Sequence, residues 1–93
     1  MPISILGNEI FTKQLTNTSL VITEDMGVGS ISVYATTGTG TILGTGVLAG
    51  EASAAIDVAE GNSITISVLQ KTIGPLTITA PSGVTLIIIA NQA

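Results

Sequence analysis

The groups in this chain that could move a proton, hold a metal or attack a carbonyl are few. They are six carboxylates (Glu9, Glu24, Asp25, Glu51, Asp57 and Glu60) and two lysines, Lys13 and Lys71. Histidine, cysteine, tryptophan and arginine are absent from all 93 residues. General bases, thiol nucleophiles and bidentate phosphate clamps draw heavily on the missing types. Two acidic groupings remain, Glu24-Asp25 and the trio Glu51, Asp57 and Glu60. Paired carboxylates can run glycoside hydrolysis or ligate calcium. Neither grouping has the alternating Asp/Asn run of a calcium loop, and Asp57 and Glu60 fall at an outward strand position and in a turn. They read as solvated carboxylates. Catalytic, cofactor and metal residues are therefore expected to be none, and the chain is read as not an enzyme.

Other candidates reduce to ordinary structure in the same way. Thr36-Thr37-Gly38-Thr39-Gly40-Thr41-Ile42-Leu43-Gly44 has the glycine density of a phosphate loop. Such loops open a helix and usually carry a lysine, and here a strand-like run follows with no lysine near. Lys13 and Lys71 have no nucleophile-bearing motif around them. Asn17-Thr18-Ser19 matches the N-glycosylation pattern, but the N-terminal residues lack a basic region and an apolar core of signal-peptide type. Phe11 and Tyr34 are the two aromatics, too few for a stacking platform. Phe11 is expected to anchor an N-terminal arm, and Tyr34 to sit at the edge of the core.

The elements that must position these residues are strands. Ile31, Val33 and Ala35 alternate with Ser32 and Tyr34; Ile56 and Val58 flank Asp57; Ile64, Ile66 and Val68 alternate with Thr65 and Ser67; Leu76 and Ile78 alternate with Thr77 and Thr79. Glu60-Gly61-Asn62 between two such runs is a hairpin signal. Short strands are also expected at residues 19–23 and 47–49, with a turn and a weak strand across 36–46. The best helical candidate, residues 50–55, has no amphipathic repeat. Turn residues recurring every ~8–12 positions indicate a sandwich or small barrel. The expected fold is all-β: a small antiparallel β-sandwich or jelly-roll-like domain of about six to eight short strands. Residues 1–93 form one domain on this reading, with 1–17 as an N-terminal arm.

Composition points to assembly. Charged residues make up 9% of the chain and mean hydropathy is +0.71, against about 25% charge in ordinary soluble domains. The longest apolar run, residues 86–90, is far below the ~18 residues that span a bilayer, so no membrane is expected. A net charge of −4 disfavours polyanions, so no nucleic acid is expected either. Solubility then calls for cover by other protein. Leu86, Ile87, Ile88 and Ile89 break alternation, so both faces of that strand are apolar. One face suits the core, and the other is expected at a subunit interface.

The stretches Ala55-Ile56-Asp57-Val58-Ala59-Glu60-Gly61-Asn62-Ser63-Ile64-Thr65-Ile66-Ser67 and Ile78-Thr79-Ala80-Pro81-Ser82-Gly83-Val84-Thr85-Leu86-Ile87-Ile88-Ile89-Ala90 resemble the small β-sandwich virion proteins of tailed bacteriophages, among them capsid decoration or cement proteins. The resemblance spans residues 46–90 and is one of texture, with no signature motif and no functional residue to carry over. It implies a non-enzymatic structural protein of the virion, made in the bacterial host cytoplasm. Such a protein would bridge subunits of the major capsid protein or other virion proteins, as a homo-oligomer and often a trimer. The alternative is a carbohydrate- or host-surface-binding β-sandwich module of a phage fibre or tail.

Overall fold

The computed structural model describes residues 10–44, 54–68 and 71–92. Among the described residues six strands follow one another: β1 (Ile10–Ile22), β2 (Val28–Thr37), β3 (Gly40–Gly44), β4 (Ile56–Val58), β5 (Ser63–Ser67) and β6 (Leu76–Gln92). A single 3-10 turn, Glu24–Met26, joins β1 to β2 and closes on Gly27 in the left-handed region. All pairing is antiparallel. The expected all-β architecture is what the chain adopts.

β6 organises the rest. Residues 76–80 pair with β1 on one side and β3 on the other, whereas residues 85–92 pair with β1 and β2. β4 extends the first half beyond β3, and β5 extends the second beyond β2. The result is two four-stranded wings sharing the β1–β6 ribbon: a short wing β1-β6-β3-β4 and a long wing β1-β6-β2-β5.

The ribbon turns a corner between them. From Thr16↔Thr85 to Thr18↔Ala80, Asn17 alone stands opposite Pro81, Ser82, Gly83 and Val84. Asn17 has φ 54 and Gly83 φ 83, conformations that asparagine and glycine tolerate best. The bulge also reverses which residues of β1 point inward, as an extra residue in one strand must. Before it, Leu15 faces the core; after it, Leu20 and Ile22 do.

Between the wings lies one apolar core, with Leu15, Ile31, Val33, Val58, Ile78 and Leu86 as its most deeply buried large side chains. Ile31, Val33 and Ala35 share its face as their alternation requires. Gly40 is needed where β3 passes Leu86, because a Cβ there would lie 2.6 Å from the leucine Cδ1.

Two expectations are corrected by the pairing. Residues 10–17 are not an arm: all but Asn17 are paired with β6, because their alternation buries Leu15 and the strand needs a ladder partner. β1 and β6 are also long, at 13 and 17 residues, since each runs through both wings. The expected strand at 47–49 lies outside the described residues, as does most of the helical candidate at 50–55, of which residues 54 and 55 are not helical.

Candidate functional site

Leu86, Ile87, Ile88 and Ile89 lie in the long-wing half of β6, flanked by β1 and β2. The strand is central, so its backbone has no free edge there. Leu86 and Ile88 are core residues, 0% and 2% exposed, whereas Ile87 is half-buried and Ile89 is 45% exposed. Burial of Leu86 and Ile88 takes those two out of any outward contact. Leu86 and Ile88 already have the chain's own core against them, and only Ile87 and Ile89 present apolar surface outward.

That surface belongs to a larger face built by register. Thr12, Ile89, Ser32 and Thr65 form one row across four strands, and Gln14, Ile87, Tyr34 and Ser63 form the next. Ile10, Asn91, Ser30 and Ser67 make a third. None of these twelve residues is charged. Ser32 and Thr65 hydroxyls hydrogen-bond each other at 2.9 Å, and Thr16 and Thr85 hydroxyls at 3.3 Å. Tyr34 is 44% exposed and Ile10 67%, so apolar groups stand among paired hydroxyls. The outer face of the long wing thus offers methyls, one aromatic ring and neutral hydrogen-bonding groups. Tyr34 lies on this face rather than at the core edge, because its neighbours in register point outward.

A second feature is the open lip of the sandwich. Among the described residues β1 pairs only with β6, which leaves its other edge without a ladder. Because β1 turns the corner, its two halves form both lips of a groove between the wings. Phe11, Lys13, Leu20, Ile22, Met26 and Ile88 line it, around a volume of about 320 Å³. Phe11 does not anchor an arm; it is a strand residue, 45% exposed on the groove side of its lip. Lys13 is the one charged residue of β1. The expected strand at 19–23 is the second half of β1; the first half carries its own signal, with Phe11, Lys13 and Leu15 alternating with Thr12, Gln14 and Thr16.

The carboxylates are dispersed. Glu24 and Asp25 occupy the 3-10 turn, where the Thr23 hydroxyl donates to Asp25 Oδ1. Asp57 lies in β4 and points outward in register with Thr41. Glu60 sits in the β4–β5 turn, and its Oε1 accepts the Gly38 N–H at 2.9 Å. That bond ties Gly38, in the turn between β2 and β3, to the connection that carries the chain from β4 in one wing to β5 in the other; the hairpin expected there is not formed, since β4 pairs with β3 and β5 with β2. Among the described residues no three potential ligands cluster as a metal site would require; Glu51 lies outside them. Lys71 is exposed beyond β5. Asn17 of the glycosylation-like triplet spends its carboxamide oxygen on the Gly83 N–H, at 2.9 Å. No helix among the described residues is long and apolar enough to cross a membrane.

No protein-family profile matches the chain, and no curated protein does. Among solved structures, an RmlC-like cupin protein from Desulfovibrio desulfuricans aligns over 91% of this chain and 72% of its own, at TM-score 0.57 and 16% identity. A structure described as Bacillus endospore appendages, disulfide-linked pili, aligns over 100% of this chain and 97% of its own, at TM-score 0.36 and 18% identity. The cupin-like likeness is one of fold, a small curled β-sandwich.

Proposed function

We propose that this protein is a non-enzymatic structural component that works by being buried against other protein in a many-copy assembly. The observation that carries this reading is the charge-free outer face of the long wing, with Ile10, Tyr34, Ile87 and Ile89 spread over three registered rows. A lone domain of net charge −4 would ordinarily spread its charges over such a face for solubility. Among the described residues the charges sit elsewhere, in turns and connections, on β4 and at the groove. Neutral hydroxyls already paired on the face are pre-ordered, which lowers the entropy cost of burial.

The setting most consistent with the resemblance of residues 46–90 is a bacteriophage virion, with the protein as a decoration or cement layer on the major capsid protein. Such a layer stabilises a shell by mass action, because it binds only the assembled form. The contact would involve few ion pairs, so salt would screen it little. Purified protein is expected to pellet with shells in moderate salt, and shells lacking it are expected to rupture at lower temperature. Release from shells by moderate salt, or unchanged thermal rupture without the protein, would overturn the cement reading. Saturable glycan binding by the isolated chain would move it to a host-surface-binding module.

A further inference from the structure

We propose that the open edge of β1 is a contact between two copies of this chain, paired antiparallel about a two-fold axis at the corner, so that residues 13–22 of one copy lie along residues 22–13 of the other. The inference names a self-contact for the assembling protein described above and rests on that reading.

Three observations fix the partner and the register. First, β1 has a ladder on one side only among the described residues. A long edge of this kind is a template for another strand, guarded by one charge, Lys13, and by the bulge at Asn17. The groove beneath, with Phe11, Leu20, Ile22 and Met26 in its walls, adds apolar area that a partner strand would cover.

Second, the corner restricts what can lie alongside. A straight strand follows one half of β1 and leaves the other. A copy of the same strand, run antiparallel with its own bulge at the same place, bends where β1 bends. The long wing of one molecule then continues into the short wing of the other, and the two grooves open into each other.

Third, directly opposed residues on neighbouring strands point to the same side. Inward residues are Phe11, Lys13 and Leu15 before the bulge, and Leu20 and Ile22 after it. Opposing residues whose numbers add to 35 meets this condition throughout. Leu15 faces the partner's Leu20, Lys13 the partner's Ile22, Gln14 the partner's Val21, and Thr16 the partner's Ser19. The bulge makes this possible, because an odd sum pairs odd with even positions and the bulge exchanges which of them point inward.

The same register gives charge complementarity. Lys13 faces the partner's Ile22, two residues before Glu24 in the 3-10 turn, so the register brings a lysine and a carboxylate to the same end of the contact. The two-fold repeats the pair. By contrast, centring the axis on the long-wing half alone would set Lys13 against the partner's Lys13, which is repulsive.

The absence of native cysteine makes the test clean. Gln14 and Val21 are both exposed on the outer side, and a Gln14→Cys, Val21→Cys double variant should oxidise to a covalent dimer. Seven residues apart on one strand is roughly 20 Å, which excludes a disulfide within one chain. A control double variant, Thr12→Cys with Val21→Cys, should cross-link at least tenfold less, being out of register. The wild-type chain should sediment as a dimer at micromolar concentration. Lys13→Glu should weaken dimerisation roughly tenfold, and adding Glu24→Lys should restore it, with circular dichroism confirming that each variant folds. A wild-type monomer or trimer, equal cross-linking of the control, or no rescue by the charge exchange would each overturn the edge contact. A monomer that still pellets with shells would do so while leaving the structural reading intact, and a dimer without shell binding would do the reverse.

Discussion

Asn17 and Gly83, 66 positions apart in sequence, close the corner of the sandwich through one hydrogen bond: the Gly83 N–H donates to Asn17 Oδ1 at 2.9 Å. The two residues face each other where one position of β1 stands against four of β6, and both have positive φ. The pair lets a single ribbon serve two wings, so one strand edge and one groove run past both.

Asn17→Ala should destabilise the fold by about 1–3 kcal/mol, combining a lost acceptor with left-handed backbone at a residue that resists it. Asn17→Gly removes the acceptor but keeps the conformation, and should cost less. Urea unfolding of the two variants beside wild type checks the order; equal costs would assign the whole effect to the hydrogen bond.

Ile88→Lys and Ile89→Lys should behave oppositely although they are adjacent. Ile88 is 2% exposed, and an unpaired charge there costs several kcal/mol, enough to unfold a small domain. Ile89 points outward, so its lysine variant should keep the wild-type circular dichroism spectrum while losing most of its binding to shells. A folded Ile88→Lys protein would contradict the placement of β6.

Gly40→Ala places a Cβ against Leu86 and should destabilise by about 1–3 kcal/mol. Gly44→Ala, where a Cβ would meet nothing within 4 Å, should stay within about 1 kcal/mol of wild type. Thermal melts of both separate close packing from simple loss of a glycine.

Leu15→Ala should cost about 2–5 kcal/mol, since Leu15 is fully buried opposite Leu86. If residues 10–17 were a loose arm, the same substitution would barely move the melting temperature. Differential scanning calorimetry distinguishes the two.

Strand identity was legible along much of the chain because alternation is a local signal. Ile31, Val33 and Ala35, and Leu76 with Ile78, state which side faces inward without reference to any neighbour, whereas the hairpin expected around Glu60 and Gly61 does not form: β4 pairs with β3 and β5 with β2, in opposite wings, a choice of partner that alternation does not encode. Local alternation also marked residues 10–16, but their polar partners Thr12, Gln14 and Thr16 made them resemble an arm. Only pairing with β6 established them as a strand. In Leu86, Ile87, Ile88 and Ile89 every residue is apolar, so composition cannot separate the two buried positions from the two outward ones. Their separation came from register with Leu15 and Ala35 on one side and Gln14 and Tyr34 on the other.

The sequence by itself determined an all-β chain with too little charge to cover its own surface, because period-two patterning and composition are properties of neighbouring residues and of sums. The tertiary structure decided where the uncharged surface gathers. Thr12, Ile89, Ser32 and Thr65 come from four separate strands and become one row only when β6 is centred between β1 and β2 and β5 is added outside. The corner at Asn17 and the open edge of β1 were decided at that level too. Both depend on which strands meet across long separations, and that choice is set by burying one shared core between the wings.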